Sequence, residues 1–255
     1  MTNFGSVFNQ SIISKILERL YLSRLKPHFL PLCSLLQSVY RSHHSNETAL
    51  IRIVNDMVEA AHAGCPTVLV ALDLSAAFVT IDHPILLNRL LVTFGVTGKA
   101  LNRIKSCLTA WTSFVIIGSI SSSTISMDTG VPQGSVLGPL LFTLFTTPLD
   151  EIISRLGLRF HLFAEDTQIF IAVRRDNIAS AMSNLAACTS AILLHDRLAL
   201  NPDKLEAAIY GTASRVQSQK GDTFITVTGA AVKLSHSIKS LGVTIKENLT
   251  FDEHV

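Results

Sequence analysis

Three acidic residues in this 255-residue chain stand where metal-assisted chemistry would need them. Asp73 closes Thr67-Val-Leu-Val-Ala-Leu-Asp73, a short apolar run with β-branched residues that follows Pro66 and reads as a buried central strand. Glu165 and Asp166 are adjacent within Arg159 to Val173, RFHLFAEDTQIFIAV, whose two apolar-alternating arms predict a β-hairpin with both acids at its tip. Sheet pairing can bring a strand-end carboxylate beside a hairpin tip. Carboxylate oxygens suit hard divalent cations, and two such ions about 3.5–4 Å apart can activate one oxygen and stabilise a departing one in phosphoryl transfer. A plainer reading makes Glu165 and Asp166 turn formers and Asp73 a helix cap. On spacing alone that plainer reading carries more weight.

Other chemistry finds less support. Gly130-Val-Pro-Gln-Gly-Ser-Val-Leu-Gly-Pro139 is a Gly-rich loop entering a helix, whose backbone N–H groups could approach a nucleotide, but such loops more often only turn the chain. It matches neither the Rossmann pattern nor the P-loop, since no Gly-Lys-Ser/Thr follows. His43-His44 lacks a HExxH pattern or a nearby cysteine. The four cysteines, Cys33, Cys65, Cys107 and Cys188, form no CxxC or CxxH spacing and read as reduced thiols rather than a zinc site or disulfide framework. No Gly-x-Ser-x-Gly elbow or reactive-cysteine signature supports a hydrolase.

The elements that must position these residues follow from periodicity. Ser11 to Leu25 carries apolar residues at helical spacing, and Asn46 to Ala63 is a second helical pattern stopped by Gly64 and Pro66. His83 to Phe94 returns to helix, Phe114 to Ile117 and Ile120 to Met127 resemble two strands around a Gly-Ser turn, and Gly138 to Ile153 is apolar and mostly helical. Ile178 to Leu200 predicts a long helix ending before Asn201-Pro202. Ala207 to Tyr210, Thr223 to Thr228 and Leu241 to Ile245 predict short strands. A helix-rich start followed by a mixed sheet with packed helices gives an α+β architecture.

Composition sets the class. With 48% hydrophobic and 16% charged residues the chain can bury a large core, and no repeat or low-complexity linker divides it. Net charge is +2, so global electrostatics do not announce a nucleic-acid partner. Mean hydropathy is +0.40, and the uncharged stretches Ser106 to Met127 and Thr129 to Leu149 are long enough to span a bilayer. The first is crowded with Ser and Thr and the second is broken by Gly130, Pro132, Gly134, Gly138 and Pro139, so neither is expected to span. The N-terminus has no basic region leading into a continuous apolar core, and an intracellular site, nucleus or cytoplasm, is expected rather than secretion.

Taken together, SKILERL (Ser14 to Leu20), QSVYRSHHSNETAL (Gln37 to Leu50), VALDLSAAFVTIDHPILLNRL (Val70 to Leu90), GVPQGSVLGPLLFTLF (Gly130 to Phe145), FAEDTQIF (Phe163 to Phe170), LNPDK (Leu200 to Lys204) and SLGV (Ser240 to Val243) resemble the reverse transcriptase domain of non-LTR retrotransposons, the LINE and Jockey-like elements. Order and spacing make the resemblance specific where each piece alone is modest. It implies a right-hand polymerase with fingers and palm: a fingers-like helical part at about 1–66, the palm with fingers elements at about 67–232, and a primer-grip region at about 233–255, with the chain ending before a thumb.

The resemblance also implies site roles. Asp73, Glu165 and Asp166 are the metal ligands and catalytic acids for two Mg2+ ions, with Mn2+ a possible substitute. Phe78 is the steric gate against a ribose 2′-hydroxyl, for which core packing is the plain alternative. Arg41 faces the triphosphate, Gln133 and Gly134 line the incoming nucleotide and template base, Lys204 assists the pyrophosphate leaving group, and Leu241-Gly242 is the primer-grip turn. The partners implied are an RNA template, a DNA primer and deoxynucleoside triphosphates, with no membrane; oligomeric state stays open.

Three departures matter, one of them being the stop at Val255 with no thumb, endonuclease domain or zinc knuckle, as expected of a fragment or decayed copy. The family's hairpin carries Asp where this chain has Glu165, and one acid of the usual Phe-Asp-Thr-Val-Asp-His run is lost at Val79, although Asp82 and His83 remain. They leave two alternatives to an active polymerase: a catalytically dead remnant that only binds nucleic acid or protein, and a metal-dependent nuclease or phosphatase using the same acids.

Overall fold

A computed structural model describes residues 11–39, 41, 43–73, 77–109, 112–131, 134–174, 176–196, 205–219, 224–227 and 230–252. In chain order its elements are α1 (Ile12–Phe29), α2 (Asn46–His62), β1 (Thr67–Asp73), α3 (Ala77–Thr80), α4 (His83–Val92), α5 (Gly98–Leu108), β2 (Thr112–Ser113), β3 (Ile116–Ile117), β4 (Ile120–Ser121), β5 (Ile125–Ser126), α6 (Gly138–Thr146), α7 (Leu149–Arg155), β6 (Arg159–Phe163), β7 (Asp166–Ala172), α8 (Ile178–Asp196), β8 (Glu206–Tyr210), α9 (Ala213–Gln219), β9 (Phe224–Val227), β10 (Ala230–Ser235), β11 (Ser237–Ser240) and β12 (Val243–Lys246). They fall into two units interleaved along the chain: residues 1–33, 76–147 and 196–198, and residues 34–75, 148–195 and 199–255.

The second unit is built on a six-stranded sheet in the order β6-β7-β1-β8-β10-β9. All neighbours are antiparallel except β8 and β10. The unbroken apolar run of β1 is explained by cover on both faces. Val68, Val70 and Leu72 pack with Leu149 and Ile153 of α7 and Leu185 and Ile192 of α8. Leu69 packs with Ile53 and Met57 of α2, Ile238 of β11 and Ile245 of β12. α2 starts at a capping box in which Ser45 and Thr48 satisfy each other's backbone N–H groups. α8 is long and apolar enough to cross a membrane by length and composition; in this fold its Ala181, Leu185, Cys188 and Ile192 are buried in the sheet core.

The first unit is helical, with two short strand pairs, β2–β5 and β3–β4. α6 reads as apolar all round because it is buried all round: Leu140 to Thr146 are each at most 8% exposed. Its N-terminal turn is held by Glu18 of α1, whose carboxylate accepts the N–H groups of Val136 and Leu137 at 2.8 and 3.1 Å.

Several expectations are refined. Asp166 does not sit in the turn of the predicted hairpin but opens β7, so the turn residues are Ala164 and Glu165. The strand expected from Leu241 begins only at Val243, because Leu241 and Gly242 form the turn between β11 and β12. The helix expected to run to Leu200 is described to Asp196.

Candidate active site

The sheet of the second unit places two of the three acids side by side. In the antiparallel pairing of β1 with β7, Asp73 and Asp166 are direct partners, the last rung of a ladder that begins at Thr67 and Ala172. Direct cross-strand partners share a sheet face with Cβ atoms about 4.5–5.5 Å apart. On its other side Asp166 pairs with Phe163 of β6, which puts Glu165 one residue away in the two-residue turn. Ala164 has φ 53° and Glu165 an ordinary negative φ, the sign pattern of a type II′ turn. Glycine usually fills that first turn position, so alanine there stores roughly 1–2 kcal/mol of backbone strain.

The hairpin is buttressed from its outer edge. Gln37 forms a parallel bridge to Leu162, flanked by Leu162 N–H donating to Leu36 O and Ser38 N–H donating to Leu162 O, both at 3.0 Å. The Gln37 side chain, 2% exposed, accepts the Ala164 N–H at 3.3 Å and the Val39 N–H at 3.2 Å through Oε1. One residue on, the Ser38 hydroxyl meets Nε2 of buried His161 at 3.0 Å. Burial, then the charges of Arg52 and His44, pushes the His161 imidazole down to about 4.

The β11–β12 turn is tied to the same strand. Leu241 and Gly242 have φ 51° and 87°, both left-handed, as a type I′ hairpin turn requires. Ser240, just before them, accepts a hydrogen bond from Gln168 Nε2 at 3.3 Å. Gln168 lies two residues beyond Asp166 on β7 and therefore on the same sheet face.

In the first unit Phe78 stacks on buried Phe142, with ring centroids 4.8 Å apart and 24° between planes. The start of the Gly-rich loop clasps this residue: Val131 N–H donates to Phe78 O at 2.6 Å, Gly130 N–H to Ile81 O at 2.7 Å, and His83 Nε2–H to Gly130 O at 2.6 Å. Gly130 has φ 89°, and a Cβ there would stand 2.7 Å from Val79 O, so only glycine fits. Asp82 caps α4 by accepting Ile85 N–H at 3.0 Å. Asp82 and His83, retained from the familiar motif, thus serve the local framework. Gly134 is exposed with φ 97°, and Arg41 is half-buried in a bend. Gln133 and Lys204 lie outside the described residues.

Sequence reasoning did not single out Gln37, Ser38, His161, Gln168, Ser240 or the capping role of Glu18. Only burial and hydrogen bonding reveal them, although all but His161 stand inside the motifs quoted above: Glu18 in SKILERL, Gln37 and Ser38 in QSVYRSHHSNETAL, Gln168 in FAEDTQIF and Ser240 in SLGV.

Comparison with known proteins bears directly on this arrangement. The family model for reverse transcriptase (RNA-dependent DNA polymerase) matches residues 7–245. The chain belongs to the reverse transcriptase family. The RNA-directed DNA polymerase from mobile element jockey of Drosophila melanogaster is 28% identical over 261 residues, covering 95% of this chain and 27% of that protein. The Pol polyprotein from type-1 retrotransposable element R2 of Popillia japonica is 28% identical over 191 residues, 69% of this chain and 30% of its own length. This reverse transcriptase domain is therefore of the LINE and Jockey-like kind that the motifs implied. It spans under a third of those relatives. A telomerase from Candida Tropicalis, solved with a fragment of telomeric RNA, shares the fold at TM-score 0.61 and 11% identity, over 94% of this chain and 37% of that one. The fold is accordingly that of reverse transcriptase fingers and palm. Members of the family use divalent metal ions.

Carboxylate oxygens are the donors that hard divalent ions take, and the β1–β7 register sets Asp73 and Asp166 opposite each other in the ladder.

Proposed function

We propose that this domain is an RNA-directed DNA polymerase that adds deoxynucleotides to a primer 3′-hydroxyl, with Asp73, Glu165 and Asp166 holding two Mg2+ ions. The observation that carries the reading is the register of β1 against β7, which makes Asp73 and Asp166 cross-strand partners beside Glu165. Bound there, the ions would supply activation of the primer hydroxyl and charge relief at the departing pyrophosphate.

The remaining roles belong to the chain itself. Phe78, its ring braced on Phe142, is the wall against which a ribose 2′-hydroxyl would collide. Arg41 supplies a guanidinium for charge-assisted bonds to the triphosphate, and Lys204 an ammonium that donates a proton toward the pyrophosphate. Gln133 and Gly134 line the nucleotide and the template base. The Leu241-Gly242 turn steadies the primer end, and the Ser240–Gln168 bond ties it to the strand that starts with Asp166. Template RNA, primer DNA and deoxynucleoside triphosphates are the corresponding partners, in an intracellular setting, with fingers, palm and primer grip at about 1–66, 67–232 and 233–255.

Primer extension on poly(rA)–oligo(dT) with Mg2+ and with Mn2+ tests this reading. Asp73→Asn is expected to lower extension at least about 100-fold. Extension equal to that of the parent chain would remove Asp73 from the site. One observation favours a second reading, a domain that holds primer and template without turnover: Glu165 stands where the family has Asp. Binding of primer–template with no extension in either metal would select it, and hydrolysis of nucleic acid without added nucleotides would select a nuclease.

A further inference from the structure

Gln37 occupies a position that packing does not explain. It is almost wholly buried, yet its Nε2 has no hydrogen-bond partner among the described residues, an arrangement unfavourable for an amide withdrawn from water. Its Oε1, in contrast, is used twice, by the N–H groups of Val39 and Ala164. Both neighbours are donors, so only the oxygen can face them, and this fixes the orientation of the amide. An apolar side chain of similar volume would avoid the orphaned Nε2 but release the Ala164 N–H.

Ala164 is the residue that needs holding. It carries the left-handed φ of 53° that turns β6 into β7, directly before Glu165 and Asp166. A strained turn residue persists only when its surroundings over-determine it. Here the bridge of Gln37 to Leu162 anchors one end of the brace and the amide oxygen grips the turn at the other. Rotation at Ala164 would swing Glu165 and the first residue of β7 together, which changes where two of the three acids project.

We propose that Gln37 is a positioning residue for the metal site, acting through the Ala164 turn rather than by touching metal or substrate. The inference rests on the polymerase reading of Asp73, Glu165 and Asp166. Its measurable quantity is metal affinity, because groups that orient metal ligands typically change affinity about 10–100-fold when removed.

The test is Mn2+ binding to the full chain, followed by electron paramagnetic resonance of the free ion, with thermal melts to confirm folding. Gln37→Met keeps the volume and removes the acceptor, and is expected to weaken Mn2+ binding about tenfold. Gln37→Asn withdraws the amide by one methylene and serves if the methionine variant does not fold. Ala164→Gly placed in the Gln37→Met background is expected to recover most of the loss, since glycine adopts the turn conformation without a brace. A merely structural role for Gln37 would show no such rescue. Asp73→Asn separates the two levels of the argument. If it weakens Mn2+ binding while the Gln37 variants bind like the parent chain, or lose affinity that Ala164→Gly does not restore, the positioning role is wrong and the metal site stands. If Asp73→Asn binds Mn2+ as the parent does, the metal site itself is wrong and the role of Gln37 falls with it.

Discussion

At the scale of single residues, the site turns on a length. Glu165 has the charge of aspartate but one more methylene, so its carboxylate reaches about 1.5 Å further from the backbone. Mg2+ demands near-octahedral coordination at about 2.0–2.1 Å, and a reacting group misplaced by about 1 Å can lose around 100-fold in rate. The turn adds no slack, because Ala164 before it is held by Gln37. Glu165→Asp is therefore expected to raise Mg2+-dependent primer extension at least about tenfold, equivalent to about 1.4 kcal/mol of barrier, and to raise Mn2+-dependent extension less. An inert Glu165→Asp protein that still binds primer–template would place the lesion elsewhere. The register that sets Asp73 opposite Asp166 follows from local signals, a carboxylate at the end of an apolar run and a pair between two alternating arms, although on spacing alone the plainer turn-and-cap reading carries more weight. Gln37 was not legible, since an amide accepting two backbone N–H groups leaves no spacing or charge pattern to read.

At the scale of elements, β1 was legible end to end because its apolar continuity reports burial on both faces. α5 and α9 escaped notice. Among the described side chains each has a narrow buried stripe, Ile104 and Leu108 in one and Val216 in the other. The local pattern places Leu241 in a strand while the resemblance places Leu241-Gly242 in a turn, and the left-handed φ imposed by the two-residue β11–β12 loop agrees with the turn. The Gly-rich loop presents the opposite case. By itself the loop pattern more often only turns the chain, and at Gly130 glycine is needed because the α3 segment crowds it at 2.7 Å. Gly130→Ala meets both a left-handed φ and a backbone clash, and is expected to destabilise the first unit by more than about 2 kcal/mol, read as a lower urea midpoint at unchanged slope. A loss below about 0.5 kcal/mol would mean that the clasp of residues 129–131 on Phe78 relaxes freely.

At the scale of the whole molecule, composition gives no sign of the interleaving of the two units, because no repeat or low-complexity linker divides the chain; a fingers and a palm part are expected only from the resemblance. What the sequence also hid is a polar layer inside the sheet unit: His161, Gln168 and Ser240 are each buried, and the His161 Nδ1 has no partner among the described residues. That layer makes stability depend on pH. The buried imidazole has its pKa pushed down to about 4, first by burial and then by the charges of Arg52 and His44, against about 6.5 in an unfolded chain. The folded form therefore keeps His161 neutral. Between about pH 6.5 and 4 the unfolded chain binds a proton that the folded chain refuses, so stability is full above about 6.5 and declines as pH falls toward 4. The contribution at stake is on the order of 3 kcal/mol. Every carboxylate titrates over part of the same range, so the parent curve alone cannot assign the effect. His161→Gln isolates it. The variant starts lower at pH 7 through the lost contact with Ser38, and its urea-unfolding free energy should fall less steeply, closing on the parent by a few kcal/mol at pH 4. Two curves that stay parallel from pH 7 to pH 4 would show that His161 is not the group that titrates.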